Sequence, residues 1–397
     1  PEISRQLLHY RYSTLDKARE RAREMSHPKG ALYPWRTING EECSAYFPAG
    51  TAQYHINADI IHALKLYMEA TNDIDFMLKY GAEMLFETAR FWASLGSHVK
   101  TKDNQFCINC VTGPDEYTAI VNNNFYTNIM AQMNLQYADD IAQLLKESHA
   151  SIFNELCERI NLDPAEILAW KKAAELMYLP YDETLKLHPQ DDTFLAKAPW
   201  DFEHTPAENY PLLLHYHPLV IYRYQVCKQA DVVLADLWFG DKMSLADKKR
   251  DYDFYEPLTT HDSSLSPCVF SILASEVGYH EKAYDYFTKT ARLDLDNLQG
   301  NTRDGIHSAN MAGAWMCMAF GFAGMRTYQG KLSFNPYLPG EWQAYRLRVN
   351  FQDRLISVAV NAHEVTYTLL AGEPLAITHA EQSMTLQKEN PSVFKLA

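Results

Sequence analysis

The chain has 397 residues, which is enough to bury a large core and allows one large domain with a smaller appendage. Its formal net charge of −14 argues against a nucleic-acid backbone or an anionic membrane surface as partner, because both would be repelled. The seven cysteines are scattered and form no disulfide framework, and no apolar run reaches the roughly 20 residues that span a bilayer. A reducing cytoplasm is therefore the predicted compartment.

Helical periodicity dominates from the first residue to about residue 326. Apolar residues at helical spacing predict an amphipathic helix at the start of the chain and helices around residues 56–67 and 129–144. Further helices are expected near 73–97, 151–178, 218–238, 262–277, 279–293 and 307–323. Long polar connections separate them, at 28–52, 99–123, 179–217, 252–262 and 294–308. Connections of this length are uncommon in compact domains unless they have a function, so we expect chemistry there.

After Arg326 the period changes to that of β-strands. Polar residues alternate with apolar ones, as in Tyr345, Leu347, Val349 and Phe351, and the same pattern recurs around 356–360 and 365–369. The sequence therefore predicts a mainly α-helical domain at residues 1–326 and a small antiparallel β domain at 327–397. We interpret the β domain as a structural cap.

The segment VTGPDEY presents two adjacent acids on a loop. Gly113 and Pro114 favour a turn directly before Asp115 and Glu116. These acids could do chemistry. Alternatively they could mark helix entry, because acids before a helix N-terminus interact favourably with its dipole, and residues 122–124 could supply the cap.

Two further segments carry groups that suit an anion. The string LTTHDSSLS contains His261, Ser263 and Ser264 before a predicted helix, and hydroxyls, a histidine and free backbone N–H groups there suit phosphate. Capping of that helix by Ser263 or Ser264 is the alternative. The string DGIHSANMAG offers His307, with small residues such as Gly313 that permit close approach.

Two segments could contact a sugar. Lys228 and Gln229 lie in an apolar stretch predicted to be helical, and buried polar groups there would need partners such as sugar hydroxyls. A surface-facing pair fits this pattern equally well. The loop YPWRTINGEEC brings together Trp35, Glu41 and Glu42, which could grip a hexose or form an ordinary turn.

Several rare strings occur together in one order: ALYPWRTINGEE, GPDEYTAIVNNNFYTN, HPQDDTF, KQADVVL, LTTHDSSLS, ARLDLDN and DGIHSANMAG. With these strings the chain resembles glycoside hydrolase family sixty-five, the inverting phosphorylases of maltose, trehalose, kojibiose and nigerose. The resemblance spans nearly all of residues 1–340. It implies an (α/α)6 barrel followed by a small C-terminal β domain.

The resemblance also implies roles for single residues. Glu116, the Glu of GPDEY, would be the general acid, and Lys228 and Gln229 would hold the transferred glucose. The segments around the phosphate would contribute His261, Ser263, Ser264, His307 and Gly313. Asp115 is a further candidate for substrate binding. His55, in the loop 44–55 expected to line the acceptor subsite, could contact the acceptor or cap its helix.

Members of the family normally carry a large N-terminal β-sandwich, a linker helix and a first barrel helix with a Trp-Asp motif. None of these is present in this sequence, so we expect the N-terminal portion of the protein to be missing from the chain. Dimers are common among the relatives, and a homodimer is therefore possible here.

The expected reaction is inverting phosphorolysis of an α-linked glucose disaccharide to β-glucose 1-phosphate and a free sugar. An inverting hydrolase needs a second carboxyl group about 6.5–9.5 Å from the acid to activate water, whereas phosphate is already a nucleophilic anion. No cofactor is implied. No metal is predicted either, because the C-x-x-C of Cys107 and Cys110 has no second pair at zinc-ligand spacing.

Two alternatives to a phosphorylase stay open. One is an inverting α-glucoside hydrolase with Asp262, Glu41 or Glu42 as the base, and the other is an inactive carbohydrate-binding fragment. Within the family, the strings GPDEY and TAQYH favour a trehalose-, nigerose- or kojibiose-type enzyme over a maltose-type one.

Overall fold

The structure, a computed structural model, describes residues 1–44 and 47–396. Its internal contacts divide the chain into two compact units. The first unit consists of Glu2–Met68 and Asp73–Cys227. The second consists of Pro1, Glu69–Asn72 and the residues from Lys228 onward.

The first unit is built mainly of helices. They are α1 (Glu2–Ser13), α2 (Leu15–Glu24), α3 (Pro48–Thr51), α4 (Ile56–Thr71), α5 (Ile74–Phe76), α6 (Ala82–Leu95), α7 (Phe125–Ser148), α8 (Ala150–Ile160), α9 (Pro164–Glu175) and α10 (Pro218–Ile221). A π-helical turn, Met77–Gly81, joins α5 to α6. Helix α6 is buried over most of its length and packs against α7, so these two helices form the centre of this unit's core.

The helix predicted over 151–178 is in fact two helices. Asn161 adopts a left-handed backbone (φ 50°) and ends α8. Asp163 and Glu166 then form a capping box at the start of α9, with Pro164 at its first position. The break therefore follows from local chemistry, since this combination is a strong start signal for a new helix.

The helix predicted over 218–238 is interrupted in its middle. Helix α10 forms at the beginning of this stretch, and a second helix, Val232–Trp238, forms at its end. Between them, strand β4 (Tyr224–Gln225) pairs in parallel with β3 (Ala198–Pro199). The side-chain amide of Gln225 donates to the carbonyls of Phe194 and Leu195 (3.2 and 3.4 Å). Tertiary pairing therefore overrides the local helical pattern.

The second unit contains five further helices in the described part of the chain: α11 (Val232–Trp238), α12 (Leu245–Tyr255), α13 (Ser266–Glu276), α14 (His280–Arg292) and α15 (Ser308–Met316). Helix α13 is almost completely buried and contacts the other four, so it is the central helix of this unit. Helix α12 was not predicted. Among the described residues, no helix combines the length and apolar character that a membrane crossing requires.

The sheets of the second unit follow its helices. Their strands are β5 (Ser333–Phe334), β6 (Ala344–Phe351), β7 (Arg354–Asn361), β8 (Glu364–Ala371), β9 (Leu375–His379), β10 (Gln382–Leu386) and β11 (Ser392–Lys395). One sheet has the antiparallel order β11-β8-β7-β6, and the other has the order β10-β9-β5, in which β5 and β9 are parallel. Burial alternates strictly along β6, which confirms the strand pattern in the sequence.

Candidate active site

Strand β1 (Ser97–Val99) pairs with β2 (Gln105–Cys107) in the first unit, and Glu116 lies on the loop between β2 and α7. Two backbone hydrogen bonds between Val111 and Val121 (3.0 and 2.8 Å) close the loop at its base. The residues on either side of Glu116 are buried, whereas Glu116 itself is only half-buried. The loop therefore keeps one of its two acids accessible.

Asp115, the other acid, anchors this loop. It is fully buried, and its carboxylate accepts hydrogen bonds from the backbone N–H of Tyr117 (3.1 Å) and from Nε2 of Gln190 (2.9 Å). The amide oxygen of Gln190 in turn accepts from the Cys227 thiol (3.1 Å). These contacts suit a residue that positions the loop, and the predicted contact of Asp115 with substrate stays a prediction.

An aromatic cluster adjoins the acid loop. Its buried members are Tyr117, Trp200, Leu212, Ile221 and Val226, with Tyr222 among the side chains packed against them. The hydroxyl of Tyr117 accepts from the backbone N–H of Leu212 (2.8 Å). Burial, and then the charges of Asp115 and Glu116, raise the pKa of Tyr222 to about 12. Its phenol therefore stays protonated beside the two acids.

Sequence reasoning missed both Gln190 and Tyr222. Gln190 belongs to the string HPQDDTF, which carries part of the family resemblance, but nothing in that string indicates its partner Asp115. Tyr222 has no local signal, because it lies in a stretch that was predicted to be an ordinary helix.

Glu42 organises the loop predicted to grip a hexose. Its carboxylate accepts from the backbone N–H groups of Trp35 (2.9 Å), Arg36 (3.3 Å) and Ser44 (3.1 Å), and from the hydroxyl of Ser44. Burial by itself would raise the pKa of Glu42, but these hydrogen bonds outweigh it and hold the pKa below its ordinary value. Glu42 is thus ionised, and its carboxylate holds the two ends of the loop together.

The two other candidates of this loop have different surroundings. The half-buried Trp35 ring lies under the guanidinium of Arg36 (4.3 Å), and a Cβ at Gly50 would come within 2.4 Å of that ring. Only glycine therefore leaves room for the ring. Glu41 is exposed, and its ion pair with Lys17 (3.0 Å) lowers its pKa.

His55 is buried directly before α4. Its Nδ1 lies 2.7 Å from Asp59 and its Nε2 lies 3.3 Å from the side-chain oxygen of Gln53. Asp59 also accepts from the hydroxyl of Tyr126 (2.9 Å). Both ring nitrogens thus have protein partners, and acceptor contact by His55 stays a prediction. Of the acceptor loop 44–55, Ala45 and Tyr46 lie outside the described residues.

In the second unit, His261 lies in the irregular segment ahead of α13. Its backbone is left-handed (φ 57°), and its ring nitrogens lie 2.9 Å from the Ser266 hydroxyl and 3.1 Å from the Tyr286 hydroxyl. Burial, followed by the charge of Lys289, lowers the pKa of His261 to about 4. Near neutral pH the imidazole is therefore uncharged and engaged by protein groups.

The two serines of this segment do not cap α13. The hydroxyl of Ser263 accepts from the N–H of Leu265 (3.3 Å), while the N-cap position of α13 is Leu265 and has no side-chain cap. The capping alternative is therefore wrong. Within the described part of the chain, the hydroxyl of Ser264 has no hydrogen-bond partner.

His307 and Gly313 belong to α15 and its entry. Nδ1 of His307 lies 2.5 Å from Asp294, whose carboxylate also accepts the His307 backbone N–H (2.9 Å). Gly313 is buried, and a Cβ there would lie 2.9 Å from the Cys268 sulfur. Gly313 thus allows close packing of α15 on α13, and its predicted role at the phosphate stays a prediction.

Lys228 and Gln229 lie in a bend shortly before α11, not inside a helix as the sequence predicted. Both are half-buried. Polar groups at a partly accessible bend suit ligand binding, and their role with glucose stays a prediction.

The candidate residues thus form groups within each unit. In the first unit, Asp115 and Glu116 share one loop, and Trp35, Glu41 and Glu42 share another. In the second unit, the His261 segment leads into α13, against which the helix that contains Gly313 packs.

Comparison with known protein families shows to which family the chain belongs. The model of the glycosyl hydrolase family 65 central catalytic domain matches residues 1–316, and that of the family 65 C-terminal domain matches residues 325–386. The chain therefore belongs to glycosyl hydrolase family 65, and the resemblance seen in its sequence is confirmed.

Relatives of the chain are named as disaccharide phosphorylases. The α,α-trehalose phosphorylase of Thermoanaerobacter brockii is 55% identical over 388 residues, which cover 98% of this chain and 50% of that protein. The maltose phosphorylase of Bacillus subtilis is 38% identical over 98% of this chain and 50% of its own length. The chain spans about half the length of these curated relatives.

A solved structure supports the same relationship. It comes from the human microbiome, is named as a candidate kojibiose phosphorylase, and matches with a TM-score of 0.91 at 31% identity. The match covers 99% of this chain and 57% of that one.

Proposed function

We propose that this chain carries the catalytic part of an inverting disaccharide phosphorylase. The reaction converts an α-linked glucose disaccharide and phosphate to β-glucose 1-phosphate and a free sugar. The observation that carries the proposal is the acid loop, in which a fully buried Asp115 is tied to Gln190 while Glu116 stays accessible. The 55% identity to a trehalose phosphorylase favours trehalose as substrate, and the strings GPDEY and TAQYH favour nigerose and kojibiose over maltose.

In the proposed reaction, Glu116 acts as general acid. It gives its proton to the glycosidic oxygen while a phosphate oxygen attacks the anomeric carbon from the opposite face. The bond between the anomeric carbon and the leaving oxygen breaks as the new bond to phosphate forms, which inverts the configuration. Because phosphate is already an anion, no second carboxylate is needed to activate the nucleophile.

Other segments of the chain would supply the remaining groups. Lys228 and Gln229 would hold the glucose, and the hydroxyls of Ser263 and Ser264 would bind phosphate together with the His307–Gly313 segment. His261, whose nitrogens are engaged by Ser266 and Tyr286, would position this segment. Neither a metal nor an organic cofactor takes part in these steps.

We also propose a domain architecture, a cellular compartment and an oligomeric state for the complete protein. Residues 1–326 would form an (α/α)6 barrel, although incomplete at its N-terminal end, and residues 327–397 its C-terminal β domain. The complete protein would add an N-terminal β-sandwich, work in the cytoplasm and form a homodimer. The relatives' greater length and the TM-score of 0.91 support this architecture.

The central experiment incubates the chain with trehalose, nigerose, kojibiose or maltose, with and without phosphate. We expect sugar consumption only with phosphate, and NMR should identify β-glucose 1-phosphate as the first product. Release of glucose without phosphate would indicate the hydrolase. Binding of disaccharide without turnover in either condition would indicate an inactive carbohydrate-binding fragment.

The role of Glu116 is tested by Glu116→Gln, which keeps the size of the side chain but removes the proton donor. Turnover should be abolished, while disaccharide binding measured by calorimetry should persist. Glu158→Gln, an exposed change in α8, is the matched control and should retain full activity. A near-normal rate of Glu116→Gln would remove Glu116 from the mechanism.

The role of the two serines is tested by Ser263→Ala and Ser264→Ala. Loss of hydroxyl donors should raise the KM for phosphate more than the KM for disaccharide, because only phosphate contacts them in the proposed reaction. Equal increases in both constants would point to a folding role instead.

A further inference from the structure

Two buried carboxyl groups face each other in the second unit. Asp236 lies in α11 and Asp251 in α12, two helices in contact, and both side chains are fully buried. Carboxylate oxygens of the two residues lie within 4.8 Å of each other. Neither residue belongs to the segments assigned above to sugar or phosphate.

Asp236 is anomalous because neither of its oxygens is satisfied. Both oxygens are buried, and neither accepts a hydrogen bond from any residue in the described part of the chain. Buried polar side chains nearly always have a partner, and an orphan group points to a water or an ion. An ionised carboxylate is especially unfavourable in this state.

The charges around Asp236 do not compensate it. Among the described groups, the cation whose charge acts on Asp236 is Lys248, but its ammonium group binds the carboxylate of Glu276. Glu276 also pairs with Arg326 (2.6 Å). The carboxyl group of Asp251 adds a further negative charge close to Asp236. These side chains therefore leave the negative charge of an ionised Asp236 without a compensating positive charge.

We propose that Asp236 and Asp251 hold a cation between α11 and α12. The ligands that the second unit supplies are carboxylate oxygens, which favour a cation of the hard class, represented by Ca²⁺, Mg²⁺ or K⁺. Such a site has no fixed ligand spacing, so it leaves no pattern in the sequence comparable to the paired cysteines and histidines of a zinc site.

The position of the pair suggests what the cation does. Helices α11 and α12 are consecutive. Asp236 lies four residues after Val232, the first residue of α11, and Asp251 lies four residues before Tyr255, the last residue of α12. Four residues of helix span about 6 Å, so each carboxyl lies about one turn from the helix end that adjoins a proposed substrate segment. A cation there would clamp the two helices that carry the proposed glucose and phosphate segments. It would take no part in the reaction.

The test is cation-dependent stability, which does not depend on the proposed function. The chain is dialysed against EDTA in choline chloride and unfolded thermally in CaCl₂, MgCl₂ or KCl, each compared with choline chloride at equal ionic strength. At least one cation should raise the unfolding midpoint in a saturable way. Asp236→Asn should abolish this rise, whereas Asp241→Asn, an exposed change just after α11, should retain it.

Elemental analysis of the purified chain provides the second measurement. About one cation per chain should co-purify with the wild type and be lost from Asp236→Asn. Should that variant fail to fold, Asp251→Asn and the wild-type titration decide the question. The absence of any cation-specific rise, or an equal rise in Asp236→Asn, would overturn the proposal and indicate that the two carboxyls share a proton.

Discussion

Replacing Gln190 by Met should loosen the loop that carries Glu116. The change removes the hydrogen bond from Nε2 to the buried Asp115 carboxylate (2.9 Å) and the acceptor of the Cys227 thiol (3.1 Å). The backbone carbonyl of Gln190 keeps its contact with the N–H of Phe125 (2.9 Å), so the loss is confined to the side chain. A hydrogen bond to a charged group contributes about 1.5–3 kcal/mol, which is the expected decrease in the free energy of unfolding.

The assay compares Gln190→Met with Gln225→Met by urea unfolding and by phosphorolysis. Gln225 is half-buried and donates to two neutral carbonyls, so its loss should cost only about 0.5–1.5 kcal/mol. Because Gln190 binds the acid loop through Asp115 whereas Gln225 binds the carbonyls of Phe194 and Leu195, Gln190→Met should lower kcat while the KM for phosphate stays constant. Equal unfolding midpoints and equal kcat values in the two variants would refute this reasoning.

Two further predictions concern the second unit. Gly313→Ala should destabilise it by about 1–3 kcal/mol through overpacking, because the new Cβ would lie 2.9 Å from the Cys268 sulfur. Thermal unfolding should show partial recovery in the double variant with Cys268→Ala, because the sulfur is removed while the Cβ of residue 268, 3.0 Å away, stays; no recovery would contradict the contact. His261, with its pKa lowered to about 4, takes up fewer protons folded than unfolded between pH of about 4 and 6.5, so stability should fall as the pH falls through that window. His261→Phe should flatten this dependence in urea titrations at successive pH values.

The parts of the fold that could be predicted are those with a repeating local pattern. The alternation of Tyr345 to Phe351 predicts β6 because side chains of a strand alternate between two faces. The middle of the stretch 218–238 was predicted wrongly because Tyr224 and Gln225 pair with β3, about 25 residues earlier in the chain. Such pairing leaves no periodic signal in the sequence.

The same distinction applies to the site. The string GPDEY indicates a loop with two acids, and the structure has that loop. The string alone does not show which acid is anchored and which stays accessible, because the side chain that anchors Asp115 is Gln190, 75 positions away. His261 was a candidate phosphate ligand because of its residue type. Its engagement by Tyr286, 25 positions along the chain, appears only in the folded protein.

The surroundings of His261 limit the kinds of group with which this acidic protein could bind a phosphate nucleophile. The chain carries a net charge of −14, and His261 is uncharged near neutral pH, so neither the overall field nor this imidazole attracts the anion. In the proposed site, binding by this segment therefore falls to neutral donors such as the Ser264 hydroxyl. Neutral hydrogen bonds orient phosphate without pairing its charge as an arginine would, and they leave its oxygens more nucleophilic. That arrangement suits an enzyme whose nucleophile must be held in place and still attack.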